Sequence, residues 1–222
     1  MKTTISLFAG VAFCLAVNNA NAQASIASNT INATHYLGSA NAFDVVFKRQ
    51  AVAAGLLATT KTSFGVNSSA MANSTSIGVN AGQFSSGTGF NTFIGQDAGK
   101  GSVSVANSGI NNTFIGSKAG WANSTGSGNF FGGTNAGYNN NTGQNNIFLG
   151  HYSGEGNANG SSNVYLGVAS GQSSNGSASV YIGNYSGGEN SSSYNTFIGY
   201  QAGAESTGGN GIIIGANAGY YN

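Results

Sequence analysis

Asn91-Thr92-Phe93-Ile94-Gly95-Gln96-Asp97-Ala98-Gly99 recurs almost unchanged as Asn195-Thr196-Phe197-Ile198-Gly199-Tyr200-Gln201-Ala202-Gly203. Weaker copies fill residues 61–222: a polar residue, two or three apolar residues, a glycine, two variable positions, Ala or Ser, and a second glycine. The first glycine stands at positions 65, 78, 95, 116, 133, 150, 167, 183, 199 and 215, so most copies are 16 or 17 residues apart. Self-similarity at such a period is the signature of a solenoid.

Each copy has the parts of one flattened coil. The apolar residues form a short strand, the two glycines suit corners with positive φ or close backbone approach, and the Asn, Ser and Gly residues form a polar loop. Coils that stack pair their strands in parallel, about 4.8 Å apart. The sequence therefore predicts an all-β fold, a parallel β-roll or β-solenoid of about ten coils of 16–17 residues.

An asparagine precedes the strand in most copies. Such a residue suits turns, and identical amides that repeat from coil to coil can stack into a ladder. We therefore interpret these residues as architecture rather than chemistry: Asn91, Asn112, Asn129, Asn146, Asn163 and Asn195.

The strand carries two apolar columns, and neighbouring strand residues point to opposite faces. The column directly before the first glycine is mostly aliphatic, and the column one residue earlier is mostly aromatic. If the aliphatic column fills the coil, the aromatic column lies outside as a patch larger than soluble monomers usually expose. We therefore expect a homotrimer, with a dimer as the alternative, whose interface consists of Phe93, Phe114, Phe131, Phe148, Tyr165, Tyr181, Phe197 and Ile213.

The N-terminus has the three parts of a secretory signal peptide: Lys2, an apolar stretch over residues 5–17, and the small-residue site Ala20-Asn21-Ala22. We expect residues 1–22 to be a signal peptide, residues 23–60 an N-terminal β lead-in or cap, and residues 61–222 the solenoid. The apolar stretch is shorter than the roughly 20 residues that span a bilayer. We therefore expect no membrane-spanning segment, and an extracellular or cell-surface location after Sec-type export.

Composition excludes several functions. Charged residues make up 5% of the chain and the net charge is +1, so there is no electrostatic footprint for nucleic acid. Glycine numbers 37 and proline is absent, yet the 11% aromatic content is unlike a disordered chain. The single cysteine, Cys14, lies in the signal peptide, so the mature chain has neither disulfides nor thiolate metal sites.

Residues with catalytic or metal-binding chemistry are few. The acids are Asp44, Asp97, Glu155, Glu189 and Glu205, and the histidines are His35 and His151. Glu189 and Glu205 lie one coil apart and could form a carboxylate pair, although we prefer solvated loop charges. Calcium-binding β-rolls need an Asp in every turn, whereas Asp97 is alone at its position. We expect no catalytic residue, no metal and no cofactor.

Trp121 and Tyr138 follow the second glycine of adjacent coils. They could form an aromatic strip that binds glycan, and packing against a coil edge is the interpretation we prefer.

The NTFIGxxAG copies, the coil length and the signal peptide resemble the heads of trimeric autotransporter adhesins of the YadA type. Tyr36-Leu37-Gly38 and the segments at residues 43–49 and 54–57 resemble the lead-in of repetitive surface proteins of Bacteroidetes bacteria. The resemblance implies a left-handed β-roll, assembly as trimers, and binding to host matrix or to other cells. The coils are longer than those of YadA heads, and no heptad stalk or β-barrel anchor is recognisable. We therefore expect a chain that is secreted, held by a partner, or a truncated product.

These observations favour a secreted or cell-surface structural or adhesive fibre module that mediates attachment or matrix assembly without catalysis. Its expected partners are copies of itself and host matrix or cell-surface glycan. An ice-binding or glycan-binding solenoid is an alternative, and a polysaccharide-cleaving β-helix enzyme is a third. The row relevant to ice binding is half apolar: Thr62, Thr75, Thr92, Thr113, Phe130, Ile147, Val164, Val180, Thr196 and Ile212.

The two ends of the repeat array also lead to an expectation. Solenoids need polar caps, and an open strand edge is a template for another chain. We expect the C-terminal coil to pair with residues 23–60 of a neighbouring molecule, which would give an end-to-end filament. The equally weighted alternative is that the native gene product continues or that the twist of a trimer shields this edge.

Overall fold

A computed structural model describes residues 5–7, 11–13, 45–49, 52–57, 61–69, 72–86, 88–101 and 106–221. The chain forms two compact units, Met1–Ala40 and Asn41–Asn222. In the first unit, β1 (Ile5–Leu7) and β2 (Val11–Phe13) pair as an antiparallel hairpin. The predicted cleavage site after Ala22, Cys14, His35, Asp44 and the Tyr36-Leu37-Gly38 motif lie outside the described residues.

The second unit is built on one 12-stranded sheet, and its described residues contain no helix. Its strands are β3 (Val45–Arg49), β4 (Val52–Leu57), β5 (Lys61–Phe64), β6 (Ser74–Ile77), β7 (Thr92–Ile94), β8 (Thr113–Ile115), β9 (Phe130–Gly132), β10 (Ile147–Leu149), β11 (Val164–Leu166), β12 (Val180–Ile182), β13 (Thr196–Ile198) and β14 (Ile212–Ile214). The strands lie in sequence order across the sheet.

The pairing changes direction once along this sheet. β3, β4 and β5 pair antiparallel, whereas β5 to β14 pair in parallel and residue for residue, as in Phe131 with Phe148 and Phe148 with Tyr165. Each parallel strand belongs to the next turn of the chain, so the described part forms a parallel β-solenoid of about nine turns. The predicted all-β solenoid is confirmed.

The middle residue of each three-residue strand from β7 to β14 points into the solenoid. From β7 to β13 this residue is aromatic and is at most 1% exposed. Neighbouring rings stack 4.7 to 5.4 Å apart with interplanar angles of 4 to 24°. The rings pack against buried alanines such as Ala98, Ala119 and Ala136. A continuous aromatic stack is therefore the core of the molecule.

The predicted oligomer interface is wrong, because the column chosen for it is this core. Phe93, Phe114, Phe131, Phe148, Tyr165, Tyr181 and Phe197 are fully buried within one chain, and Ile213 is partly buried against the end of the stack. The physical reason lies in the second glycine of each copy. A Cβ built on Gly203 would lie 2.6 Å from Cδ2 of Phe197, so only glycine leaves room for a ring inside the coil.

The first glycine of each copy is required for a different reason. Its φ is 127 to 142° in all ten copies, a conformation that side chains rarely adopt. A Cβ on Gly167 would also lie 2.6 Å from the carbonyl carbon of Gly183 in the next coil. The glycine corners predicted from the repeat are confirmed, and they follow from both backbone conformation and coil-to-coil contact.

The predicted amide ladder is also confirmed. Oδ1 of Asn146 accepts a hydrogen bond from the backbone N–H of Asn163 at 2.9 Å, and its Nδ2 donates to the carbonyl of Gly160 at 2.8 Å. The same two bonds recur at Asn112 and Asn129. Each buried amide therefore joins two successive coils and also closes a turn.

Candidate functional site

The outer face of the sheet is an extended apolar surface. It consists of the residue directly before and the residue directly after the inward residue in each of β6 to β14, and both point away from the core. We call the residues before the inward position the leading column: Thr75, Thr92, Thr113, Phe130, Ile147, Val164, Val180, Thr196 and Ile212. The residues after it are the trailing column: Ile77, Ile94, Ile115, Gly132, Leu149, Leu166, Ile182, Ile198 and Ile214.

Much of this outer face lies in solvent. Ile77, Ile94, Ile115, Phe130 and Ile147 are 36 to 42% exposed, and the other residues of the two columns between β6 and β13 are partly buried. No charged residue belongs to either column. The surface that a partner would meet is thus aliphatic, where the sequence interpretation expected an aromatic one.

The threonine row named in the sequence lies in the leading column. Thr75, Thr92 and Thr113 stand on three adjacent coils and pair in register. Apolar residues follow from Phe130 to Val180, and Thr196 resumes the row. Regular hydroxyls are therefore confined to the first part of the face and one later coil.

Trp121 and Tyr138 are brought together, as their spacing predicted. Their rings stack with centroids 5.1 Å apart and an interplanar angle of 3°. Each ring covers one face of the other, so a sugar could stack on the single remaining face of either ring. This geometry favours packing along the coil edge over a row of open aromatic platforms.

Glu189 and Glu205 line one open cleft of about 120 Å³. Its floor is formed by Gly188 and Ala204, two small residues at the position that holds Trp121 and Tyr138 in earlier coils. Both carboxylates are exposed. The two carboxylates of the predicted pair therefore line the same cleft and both are open to water.

The phenol of Tyr220 lies at the wall of this cleft. Its hydrogen bond to the Glu205 carboxylate raises the pKa of Tyr220, and the charges of Glu205 and Glu189 act in the same direction. The cleft is therefore a weakly acidic surface feature.

Glu155 lies one coil beyond the cleft and belongs to a separate contact. Its Oε2 accepts a hydrogen bond of 2.9 Å from Nε2 of Gln172.

Asp97 forms an ion pair with Lys100 at 3.1 Å and accepts a hydrogen bond from Nδ2 of Asn80 at 2.9 Å. Burial alone would raise the pKa of Asp97, but the bond from Asn80 and the nearby Lys100 ammonium outweigh it, so the pKa lies below its ordinary value. Asp97 is therefore explained as a structural residue of this local network.

His151 is exposed and stacks on Tyr152 with ring centroids 3.9 Å apart. Among the described residues, no three His, Cys, Asp or Glu side chains come close enough to hold a metal ion.

In the part of the chain that the structure describes, no helix has the length and apolar character that crossing a bilayer requires. Comparison with known proteins adds no identification: no protein-family model, curated protein or solved structure matches the chain.

The trailing column is the outward apolar surface that the sequence interpretation placed inside the coil. A signal for it exists in the repeat, since a glycine at a fixed distance from an aromatic residue indicates that the ring occupies the coil. The aliphatic neighbours must then face outward.

Proposed function

We propose that this protein is a secreted or cell-surface structural and adhesive fibre module, without catalysis, that works as an assembly of identical chains. The observation that carries the proposal is the outer face: an uncharged, mostly apolar surface that extends along nine strands of a rigid solenoid. Soluble monomers rarely expose apolar patches larger than a few hundred Å², and larger ones mark interaction sites.

The interior of the solenoid supports the same proposal. The described coils from β7 to β13 are filled by stacked rings and by alanine and serine side chains. The titratable residues outside this core are scattered over unrelated coils, apart from the exposed pair in the cleft. Such a molecule is suited to rigidity and display, and the resemblance of the N-terminus to a signal peptide supports a role outside the cell.

We further propose a homotrimer as the unit of assembly, on the strength of the resemblance to trimeric adhesin heads. Host matrix or cell-surface glycan is the proposed target. We also propose that solenoids pair end to end and form a filament. β14 is the last strand of the sheet and pairs only with β13 among the described strands, which suits strand addition.

The experiment is a binding survey of the purified mature chain on glycan and matrix-protein arrays, with negative-stain microscopy of the same sample. Saturable binding to one class of target together with rods or fibres supports the proposal. A matched control is the chain with Trp121→Ala, which tests whether the aromatic stack takes part. Hydrolysis of a bound polysaccharide would overturn the non-catalytic proposal.

Ice binding is the second candidate, because Thr75, Thr92 and Thr113 form a regular outward row with the coil spacing of about 4.8 Å. Thermal hysteresis in solutions of the mature chain would favour this function. Its absence, with array binding present, would leave the adhesive function.

A further inference from the structure

Strand β9 departs from the residue pattern of both columns of the outer face. Phe130 is the one aromatic residue in the leading column, and Gly132 is the one glycine in the trailing column. Phe130 is 39% exposed. Gly132 pairs with Ile115 and Leu149 on either side, and it leaves a gap between these two aliphatic side chains that Leu149 partly covers, since Cδ2 of Leu149 lies 2.8 Å from the place a Cβ would take. A protruding ring and a gap therefore lie side by side at one height of the solenoid.

The backbone does not require glycine at position 132. Unlike Gly133 beside it, Gly132 does not have a left-handed φ. A Cβ built there would meet only Cδ2 of Leu149, at 2.8 Å, which is the flexible end of a side chain. The gap is therefore a feature of the surface, whereas the two repeating glycines are features of the fold.

A second copy of this chain would match the pattern if the two solenoids lie parallel and level. When outer faces pack about a symmetry axis along the solenoid, the leading column of one copy lies opposite the trailing column of its neighbour. Phe130 then faces Gly132 of the neighbouring copy at the same coil. An antiparallel arrangement would instead place leading against leading column and would leave the gap unfilled.

We propose that the outer face is the contact between copies of this chain, in parallel and level register, with Phe130 seated over Gly132 of the neighbour. The inference rests on the proposed assembly of identical chains and names its surface and register. It holds for a two-fold or a three-fold axis, because both keep every coil level with its counterpart.

The size of the outer face is sufficient for this role. With strands about 4.8 Å apart and two side-chain columns about 13 Å wide, the nine strands present about 550 Å² per copy. One pair of faces would bury about 1,100 Å², which reaches the roughly 1,000 Å² expected of a biological interface. The middle of the nine strands lies at β10, so the ring and gap in β9 lie near the centre, where contact residues contribute most.

The test is a mutant cycle on the mature chain, read by light scattering and sedimentation. Phe130→Thr removes the ring, and Gly132→Ile fills the gap. The double variant restores the Thr-Phe-Ile strand found in β7, β8 and β13. We expect each single change to raise the dissociation constant about ten-fold or more, and the double variant to recover most of the loss. Tyr194→Asn, an exposed change outside the outer face that tolerates the left-handed φ of 65° at this position, should leave the molar mass unchanged.

Circular dichroism checks that each variant is folded. If Gly132→Ile unfolds, Gly132→Ala takes its place in the cycle. If Phe130 merely covers Gly132 of its own strand, the coupling will appear in the melting temperature of single chains and not in the molar mass. That result would overturn the inference. An unmutated chain that stays monomeric would overturn it as well.

Cross-linking decides the register. Chains with Thr113→Cys are mixed with chains carrying Ile115→Cys and treated with a short bismaleimide, since these positions lie in the two columns of β8. We expect mixed dimers. Mixing Thr196→Cys with Ile115→Cys chains should give none, because those strands are about 24 Å apart along the solenoid. The opposite result would show antiparallel or staggered packing. If these results are as expected and the arrays remain empty, the adhesive function alone fails.

Discussion

The first coils of the solenoid differ from the later ones in what fills them. β5 and β6 place Ser63 and Ser76 at the inward position, whereas β7 to β13 place a ring there. Both serines are buried, and the Ser76 hydroxyl has no hydrogen-bond partner among the described residues. The strands still pair in register. Strand pairing and the glycine corner are therefore enough to form a coil, and the ring adds packing.

The presence of the second glycine differs between coils with and without an inward ring. It is absent in one copy, at Ser69, where neither the strand before it nor the next strand supplies a ring. It returns at Gly82, where a Cβ would lie 2.9 Å from Cδ2 of Phe93 in the following coil. The first glycine therefore belongs to the coil itself, whereas the second combines a left-handed φ of 56 to 60° with close approach to a side chain of the core.

The largest effect should follow from emptying a filled coil. Phe148→Ala removes a ring that stacks on Phe131 at 4.8 Å and on Tyr165 at 4.7 Å, and it leaves a cavity in the middle of the core. We expect a loss of about 3–5 kcal/mol in the free energy of unfolding, measured with urea. Because solenoid stability adds coil by coil, the transition should also split. A loss below about 1 kcal/mol would contradict the role given to the rings.

A smaller but related effect is expected at a second glycine. Gly203→Ala forces a left-handed φ of 59° on alanine and places its Cβ 2.6 Å from Cδ2 of Phe197. We expect a loss of about 2–4 kcal/mol in the same urea experiment, from backbone strain and overpacking together. Gly208→Ala is the matched control, since a Cβ there meets nothing within 4 Å. Equal losses for both variants would break the link between glycine and ring.

The two tyrosines of the core make the filled coils sensitive to alkali. Burial raises the pKa of Tyr165 above its ordinary value, and the same cause raises that of Tyr181. The unfolded chain loses these protons near pH 10 while the folded chain keeps them. Stability should therefore be full below about pH 10 and fall as pH rises toward the folded-state pKa values.

Urea midpoints from about pH 9 to 11.5, with phenolate absorbance, check this dependence. The variant Tyr165→Phe/Tyr181→Phe should lose stability less steeply over that range. This variant also loses the hydrogen bonds to Ser174 and Asn190, each 3.1 Å long. The stability of each protein at high pH is therefore compared with its own stability at neutral pH. An equal slope in both proteins would contradict the prediction.

The smallest effect is expected in the coil without a ring. Ser76→Ala removes a buried hydroxyl that has no hydrogen-bond partner in the described residues. Because the group is desolvated without compensation, its removal should leave stability within about 1 kcal/mol of the original or raise it. The melting temperature measures this directly. A larger loss would show that this coil depends on its serine as the later coils depend on their rings.

Much of the fold could be predicted from the sequence because the solenoid repeats one local pattern. The parallel strands, the glycine corners and the asparagine ladder each depend on contacts between equivalent residues of neighbouring coils. Such contacts follow from the period alone. The pairing of Trp121 with Tyr138 and of Glu189 with Glu205 followed in the same way. The distances between these side chains and the orientation of their rings could not be predicted from the period, since they depend on how each coil is shaped in space.

What the sequence by itself determined is that the residue pairs Phe93 with Ile94, and Phe148 with Leu149, point to opposite sides of one sheet. Which side is the interior was decided by the tertiary structure. The coil closes around the middle residue, and the glycine and alanine that face it leave a space the shape of a ring. The aliphatic column is therefore outside and the aromatic column inside. Alternation in a strand fixes relative direction, and only closure of the coil fixes which direction is inward.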